Sequence, residues 1–184
     1  MQSHIMLDLE TFGVDPGSVI RSIGAVEFNI ETGELGNEFY SNITRESCEE
    51  LGMTVDPDTE RWWSQQSKDA QDSLLKDQRP FKIVASDFCR WYARQCRGLS
   101  KVAMWSQGSN FDGVLLNSAL KLAGMRAPWK FYHALDTRTA YFMGAFNSYA
   151  VKRDGTYHNA LDDARHQALC VHKAYVKRKS GGML

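Results

Sequence analysis

The stretch HIMLDLETFG, residues 4–13, decides the fold. It is an apolar run of the kind that becomes a buried strand, yet it carries Asp8 and Glu10 in its middle. Side chains alternate along a strand, so residues two apart share a face. Asp8 and Glu10 therefore point one way, Leu7 and Leu9 the other. Two like charges side by side in a half-buried place repel and lose hydration. A bound cation is the natural compensation.

Outward from this strand the pattern is regular. Residues 19–30 place Val26, Phe28 and Ile30 at alternating positions, with Glu27 and Asn29 between them, which predicts a strand with one buried face. Glu31-Thr32-Gly33-Glu34 reads as a hairpin turn and residues 38–43 as the returning strand. Three antiparallel strands follow. Pro57 opens a helix capped by Asp56 and carrying Trp62 and Trp63. Residues 80–97 have helical spacing, 101–106 form a short apolar strand, and 112–123 form a helix with Gly124 past its end. Helices are also expected over 138–146 and 160–178. Three early strands followed by strand–helix alternation predict an α/β fold: a mixed central sheet, antiparallel first and parallel later, flanked by helices. Residues 1–178 read as a single domain and 179–184 as a flexible tail behind a basic helix end.

The bulk numbers narrow the function. The chain has 184 residues, 43% hydrophobic and 24% charged, the balance of an ordinary globule with a real core. Its 22 basic and 22 acidic side chains cancel. That argues against a broad basic face coating long duplex DNA, and it permits a cleft gripping a few nucleotides. Cys48, Cys89, Cys96 and Cys170 form no CxxC pair, so they read as reduced thiols of a cytoplasmic protein, without structural zinc. No apolar run reaches membrane-spanning length and no signal pattern opens the chain, so no membrane partner is expected.

Three further places carry acidic groups. Asn110-Phe111-Asp112 follows a strand and a Gly-containing turn, which puts Asp112 at a helix N-terminus. His158-Asn159-Ala160-Leu161-Asp162-Asp163 leads into the last helix, and Asp136-Thr137-Arg138 follows another apolar stretch. Each has a plain structural reading: Asp112 as an N-cap, Asp162 and Asp163 as complements of a helix dipole. Together they match what phosphodiester hydrolysis needs. Two divalent cations about 3.5–4 Å apart activate a water and stabilise the departing oxygen. Magnesium prefers oxygen ligands. A histidine, with an unperturbed pKa of about 6.5, can take the proton of the water. Asp8, Glu10, Asp112, Asp163 and His158 supply both needs if the fold joins them.

This pattern resembles the DnaQ-like (DEDD) 3′–5′ exonucleases, in the subclass that uses histidine. Asp8-Leu9-Glu10, Asp112 and His158…Asp163 stand in that superfamily's order. Leu161 occupies the place where the tyrosine subclass would need an Asp after Tyr157. Trp62-Trp63-Ser64-Gln65-Gln66-Ser67, Trp105 to Asp112 and Asp136-Thr137-Arg138-Thr139 resemble the phage and prophage branch. That branch includes exonuclease VIII-like proteins, phage exodeoxyribonuclease A and the mycobacterial exoribonuclease RNase AS. The resemblance runs from about residue 4 to about 175. It implies an RNase H-like fold, two Mg²⁺ ions that Mn²⁺ can replace, and release of 5′-mononucleotides from 3′ ends of single-stranded RNA or DNA. A homodimer and a bacterial or prophage origin are also implied.

The resemblance assigns Asp8, Glu10 and Asp163 to the tighter metal, with Asp8 bridging to a second ion held by Asp112. His158 becomes the general base. Thr11, Phe12 and Gly13 would lie under the terminal nucleotide, with Phe12 stacking on a base or packing in the core. Trp62 and Trp63, about 100° apart on a helix, are expected to divide, one packing and one lining the substrate site or a subunit contact. Gln107, Ser109, Asn110 and Phe111 flank Asp112 and would meet sugar or phosphate. Arg138 would reach a phosphate or pair with Asp136. The alternatives are an enzyme restricted to very short oligonucleotides or tRNA ends, and a non-catalytic nucleic-acid-binding or inhibitory module.

Overall fold

The computed structural model of the chain describes residues 3–96 and 102–181. Arg97 at the end of an expected helix, Lys101 at the start of an expected strand, and tail residues 182–184 lie outside the described residues. Among the described residues there are five strands: β1 (Ser3–Thr11), β2 (Ile20–Phe28), β3 (Leu35–Asn42), β4 (Val102–Ser106) and β5 (Ala134–Asp136). The helices are α1 (Arg45–Glu49), α2 (Pro57–Ser64), α3 (Lys68–Ser73), α4 (Phe81–Gln95), α5 (Asp112–Leu122), α6 (Thr137–Met143) and α7 (Ala160–Ser180).

The sheet order is β3-β2-β1-β4-β5. β1 and β3 run antiparallel to β2, while β4 is parallel to β1 and β5 parallel to β4. This is the expected RNase H-like mixed sheet flanked by helices. The alternation of β1 divides the core in two. Ile5, Leu7 and Leu9 join Ile23 and Ala25 beneath α4 and α5, against Phe81, Val84, Phe88, Leu115 and Leu116. Met6 joins Val26, Phe28, Ala103 and Trp105 against Ala164, Ala168 and Val171 of α7. Each fully buried aliphatic or aromatic side chain contributes about 1.5–3 kcal/mol. Asp8 and Glu10 continue the Met6 row, so they face α7.

Two features open a site at this end of the sheet. Gly24 stands opposite Asp8 in the β1–β2 ladder. A Cβ on Gly24 would lie 2.2 Å from the carbonyl carbon of Ala160, so only glycine lets α7 begin this close to the sheet. On the other side, the pairing of β1 with β4 runs only from Ser3–Val102 to Met6–Trp105. Beyond Met6 the two parallel strands part, and a crevice forms at their carboxyl ends, where ligands of open α/β sheets bind.

Several boundaries differ from the pattern-based expectation. β3 starts at Leu35, not 38, because the Asn29 side chain and the Asn29–Glu34 backbone bonds close a tight turn. α1 and α3 are too short, at 5 and 6 residues, to show a helical period. α6 ends at Met143, since Gly144 lies against the Ala174 backbone, 2.7 Å from where a Cβ would be. α7 continues to Ser180, two residues past the expected limit at 178.

Candidate active site

The crevice is a cleft of about 710 Å³ whose walls include Asp8, Glu10, Gln107, Phe111, Asp112, Arg138, His158 and Asp163. Three elements deliver the acidic groups. β1 carries Asp8 and Glu10, the first turn of α5 carries Asp112, and the first turn of α7 carries Asp163. Ligand atoms of Glu10, His158 and Asp163 lie within 4.8 Å of one another, which sets the histidine beside two carboxylates that could hold a metal ion.

Asp112 is almost fully buried and does not act as the cap of α5, since Phe111 occupies that position. Its carboxylate instead bridges the parted strands. The Leu9 N–H donates to Oδ1 at 3.1 Å and the Gln107 N–H to Oδ2 at 3.3 Å. Asp163 points into the cleft, while its neighbour Asp162 turns away, accepting from the Thr156 N–H at 2.9 Å and pairing with Arg165 at 2.8 Å. Asn159 caps α7, accepting from the N–H groups of Leu161 and Asp162. His158 immediately precedes this cap in a left-handed backbone conformation, φ 61°. Such conformations cost non-glycine residues of order 1–3 kcal/mol and cluster at functional sites.

Burial sets the electrostatics. It raises the Asp8 carboxyl well above its usual range, helped by Asp112 and Glu10 and opposed by the Gln167 hydrogen bond and Arg153. Glu10 is pushed up to about 8 by burial and by Asp112, against the pull of Arg21 and Arg153. Asp112 rises to about 7 through burial, tempered by its backbone donors and Arg138. Burial, then Arg153, lowers His158, which keeps it unprotonated at neutral pH. An acidic cluster that retains protons at neutral pH has the donor chemistry of a divalent-cation site: hard oxygens short of positive charge.

The two tryptophans divide. Trp63 is buried, and its indole N–H donates to the Thr11 carbonyl at 2.8 Å. Trp62 is 42% exposed and meets the His158 ring edge-on at a centroid distance of 4.9 Å. Trp63 also lies edge-on to His158, at 5.8 Å. Thr11, the last residue of β1, and Gly13 just after it are buried, and the Thr11 hydroxyl donates to the Gly13 carbonyl. The Phe12 ring packs against the core and carries the Arg21 guanidinium 4.3 Å above its centroid. Ser109 and Asn110 are exposed on the turn before α5 and bonded to each other. Asp136 caps α6 and accepts from the Gly108 N–H at 2.9 Å, which leaves Arg138 free to face the cleft.

Three residues escaped the sequence reading. Gln167, on α7 one turn beyond Asp163, donates to Asp8 Oδ1 at 2.7 Å; its own Oε1 is buried with no donor among the described residues. Helical spacing from Asp163 is the signal that would have found it. Arg21 is buried between the rings of Phe12 and Trp63, facing Glu10. Arg153 enters the cleft from the loop before α7 and pairs with Asp163. Nothing in the spacing of either arginine marks it, because each meets its carboxylate only through the fold.

Residues 3–175 match a family model described as the 3′–5′ exoribonuclease Rv2179c-like domain. No curated protein sequence matches the chain. Among solved structures, cell-death related nuclease 4 (CRN-4) is similar with a TM-score of 0.68 at 14% identity, over 96% of this chain and 64% of that one. The nuclease domain of 3′hExo, a DEDDh family member bound to rAMP, is similar with a TM-score of 0.60 at 17% identity, over 98% and 93%. E. coli exonuclease I in complex with a dT13 oligonucleotide has a TM-score of 0.61 at 11% identity, over 98% of this chain and 42% of that one. The chain thus spans less than two thirds of CRN-4 and less than half of exonuclease I. At these identities the likeness is one of fold.

Proposed function

The chain belongs to the 3′–5′ exoribonuclease Rv2179c-like domain family, and from that premise we propose that it hydrolyses single-stranded RNA from the 3′ end, releasing 5′-mononucleotides. The observation that carries this reading is the meeting of four carboxylates and one histidine, brought by β1, α5 and the start of α7, in a single cleft. The motifs after Asp56 support placing it in the phage and prophage branch with RNase AS.

Asp8, Glu10, Asp112 and Asp163 would hold a pair of divalent cations, Mg²⁺ or Mn²⁺. Bound there, the ions supply positive charge for the attacking water and for the departing 3′-oxygen. His158 takes the proton of the water as its oxygen attacks the terminal phosphorus. The bond from phosphorus to the 3′-oxygen breaks, and that oxygen takes a proton from solvent water, leaving a new 3′-hydroxyl and a free 5′-mononucleotide. Gln167 fixes the rotamer of Asp8 from behind. Trp62 and Trp63 hold the His158 ring edge-on, so that one nitrogen faces the cleft. Neutral net charge fits a short footprint on the strand.

End-labelled single-stranded RNA, single-stranded DNA and a duplex with a 3′ overhang, each incubated with the wild type and with Asp8→Ala, test the reading. RNA shortened one nucleotide at a time by the wild type alone supports it. Equal degradation by both proteins, or none by either with Mg²⁺ and Mn²⁺ present, overturns it.

A further inference from the structure

Arg153 stands on the loop between α6 and α7. Its guanidinium pairs with Asp163, the same carboxylate that groups with Glu10 and His158 within 4.8 Å. The side chain is 16% exposed and lies over the Tyr157 ring, 4.4 Å from its centroid. Neither its Nε nor the terminal nitrogen nearest Asp163 makes a hydrogen bond among the described residues, so the contact with Asp163 is a pairing of charges. A buried guanidinium with an unused donor is a costly arrangement.

A second buried arginine stands beside Glu10 for comparison. Arg21 faces Glu10 but is clamped on both sides, by Phe12 at 4.3 Å and Trp63 at 4.4 Å. It is built into the fold. Arg153 has one platform, Tyr157, which is itself 63% exposed, and it rides a loop rather than a strand. The loop is anchored just past Arg153, where Gly155 adopts φ 91° and the Thr156 N–H donates to Asp162 at 2.9 Å. The backbone is therefore held, so an exchange of partners falls to the long side chain alone.

A divalent cation binds carboxylate oxygens at roughly 2.0–2.6 Å, and a guanidinium on the same carboxylate would sit against it with like charge. We propose that Arg153 competes with a divalent cation for Asp163, and that the guanidinium, once displaced, binds the phosphate of the 3′-terminal nucleotide. Its planar fork of donors matches phosphate oxygens. Metal loading and substrate capture are then a single exchange of partners. The inference rests on the two-cation reading above.

The test is calorimetric titration of MnCl₂ into metal-stripped wild type, Arg153→Gln and Arg153→Lys, with folding checked by circular dichroism. Arg153→Gln binds Mn²⁺ about tenfold more tightly, a change of about 1.4 kcal/mol, while Arg153→Lys keeps the charge and stays near wild type. Adenosine 5′-monophosphate, titrated with Mn²⁺ present, binds Arg153→Gln about tenfold more weakly. On the wild-type protein, phenylglyoxal labelling read by peptide mass spectrometry is severalfold faster at Arg153 in Mn²⁺ than in EDTA. Equal Mn²⁺ affinity in wild type and folded Arg153→Gln, or equal labelling in the two conditions, overturns the competition. Unchanged binding of the mononucleotide overturns the phosphate role. Mn²⁺ that binds none of the proteins overturns the two-cation reading itself.

Discussion

Gly24 faces Asp8 directly across the β1–β2 ladder, and the backbone of Ala160 fills the space where a side chain on Gly24 would stand. The strand that carries Asp8 and Glu10 and the helix turn that carries Asp163 are thus joined through a missing Cβ. Gly24→Ala must push the start of α7 off the sheet, since the clash is with backbone at 2.2 Å. Overpacking of this kind costs about 1–3 kcal/mol. The single-turnover rate should fall further than stability does, because His158 and Asp163 ride the displaced turn. Urea melts and a single-turnover assay check this; a variant with wild-type melt and rate would refute the packing account.

Trp62 and Trp63 should separate cleanly on truncation. Trp63 is buried and hydrogen-bonded to Thr11, so Trp63→Ala should cost about 3–5 kcal/mol of stability. Trp62 is partly exposed and touches His158. Trp62→Ala should leave the melt within about 1 kcal/mol of wild type and lower kcat/KM, with the loss concentrated in kcat if the ring positions the base. Equal destabilisation by both changes would argue against this division.

Gln167 donates to Asp8 from the buried side of the cleft. Partners of metal-binding carboxylates typically matter by about 10–100-fold in metal affinity or activity. Gln167→Leu should therefore weaken Mn²⁺ binding by about that factor without changing the charge. Calorimetric titration reads it directly, and undiminished Mn²⁺ affinity would leave Gln167 with a packing role only.

The sequence was most legible where chemistry and period coincide. Asp8 and Glu10 stand two apart on a strand, Asp112 opens α5, and Asp163 opens α7, so each could be placed on its element from the local pattern alone. The division of Trp62 from Trp63 followed from helical geometry. What could not be read were pairings set by tertiary approach. Arg21 meets Glu10 through the stack on Phe12 and Trp63, and Arg153 reaches Asp163 from a loop without periodicity. The Asp112 carboxylate binds the Leu9 N–H, 103 residues away in sequence, because β1 and β4 part beyond Met6. Propensity carries no information about such a splay.

Without metal, the acidic cluster should make stability fall as pH rises. A carboxyl whose folded pKa is raised stabilises the fold fully below its unfolded value and loses that contribution as pH climbs through the folded one. Glu10 moves from 4.5 to about 8, Asp112 from 3.8 to about 7, and Asp8 moves in the same direction. His4, His158 and His166 are lowered and act oppositely, but only below their ordinary value of 6.5. Between about pH 6.5 and 8 the carboxyls act alone. In EDTA the unfolding free energy should drop across that window by on the order of 1–2 kcal/mol, and saturating Mg²⁺ should abolish the slope. A flat profile in EDTA would mean that these carboxyls are already ionised without a cation.

His158 sets the last expectation, and it concerns the rate rather than the fold. With Mg²⁺ saturating, the carboxylates are held ionised, so the base is the group left to titrate on the acid side. Burial and Arg153 both lower His158, so kcat/KM should rise with pH along a limb whose midpoint lies below 6.5. A general base contributes about 10²–10⁴-fold. His158→Ala should lose activity on that scale and lose the limb with it, while binding Mn²⁺ through the remaining carboxylates. Trp62→Ala adds a directional check, because removing the ring that abuts His158 opens it to water and should move the midpoint upward. A limb that survives unchanged in His158→Ala would assign the proton transfer to another group, and His166, which lines the same cleft and is also lowered by burial, is the side chain to replace next.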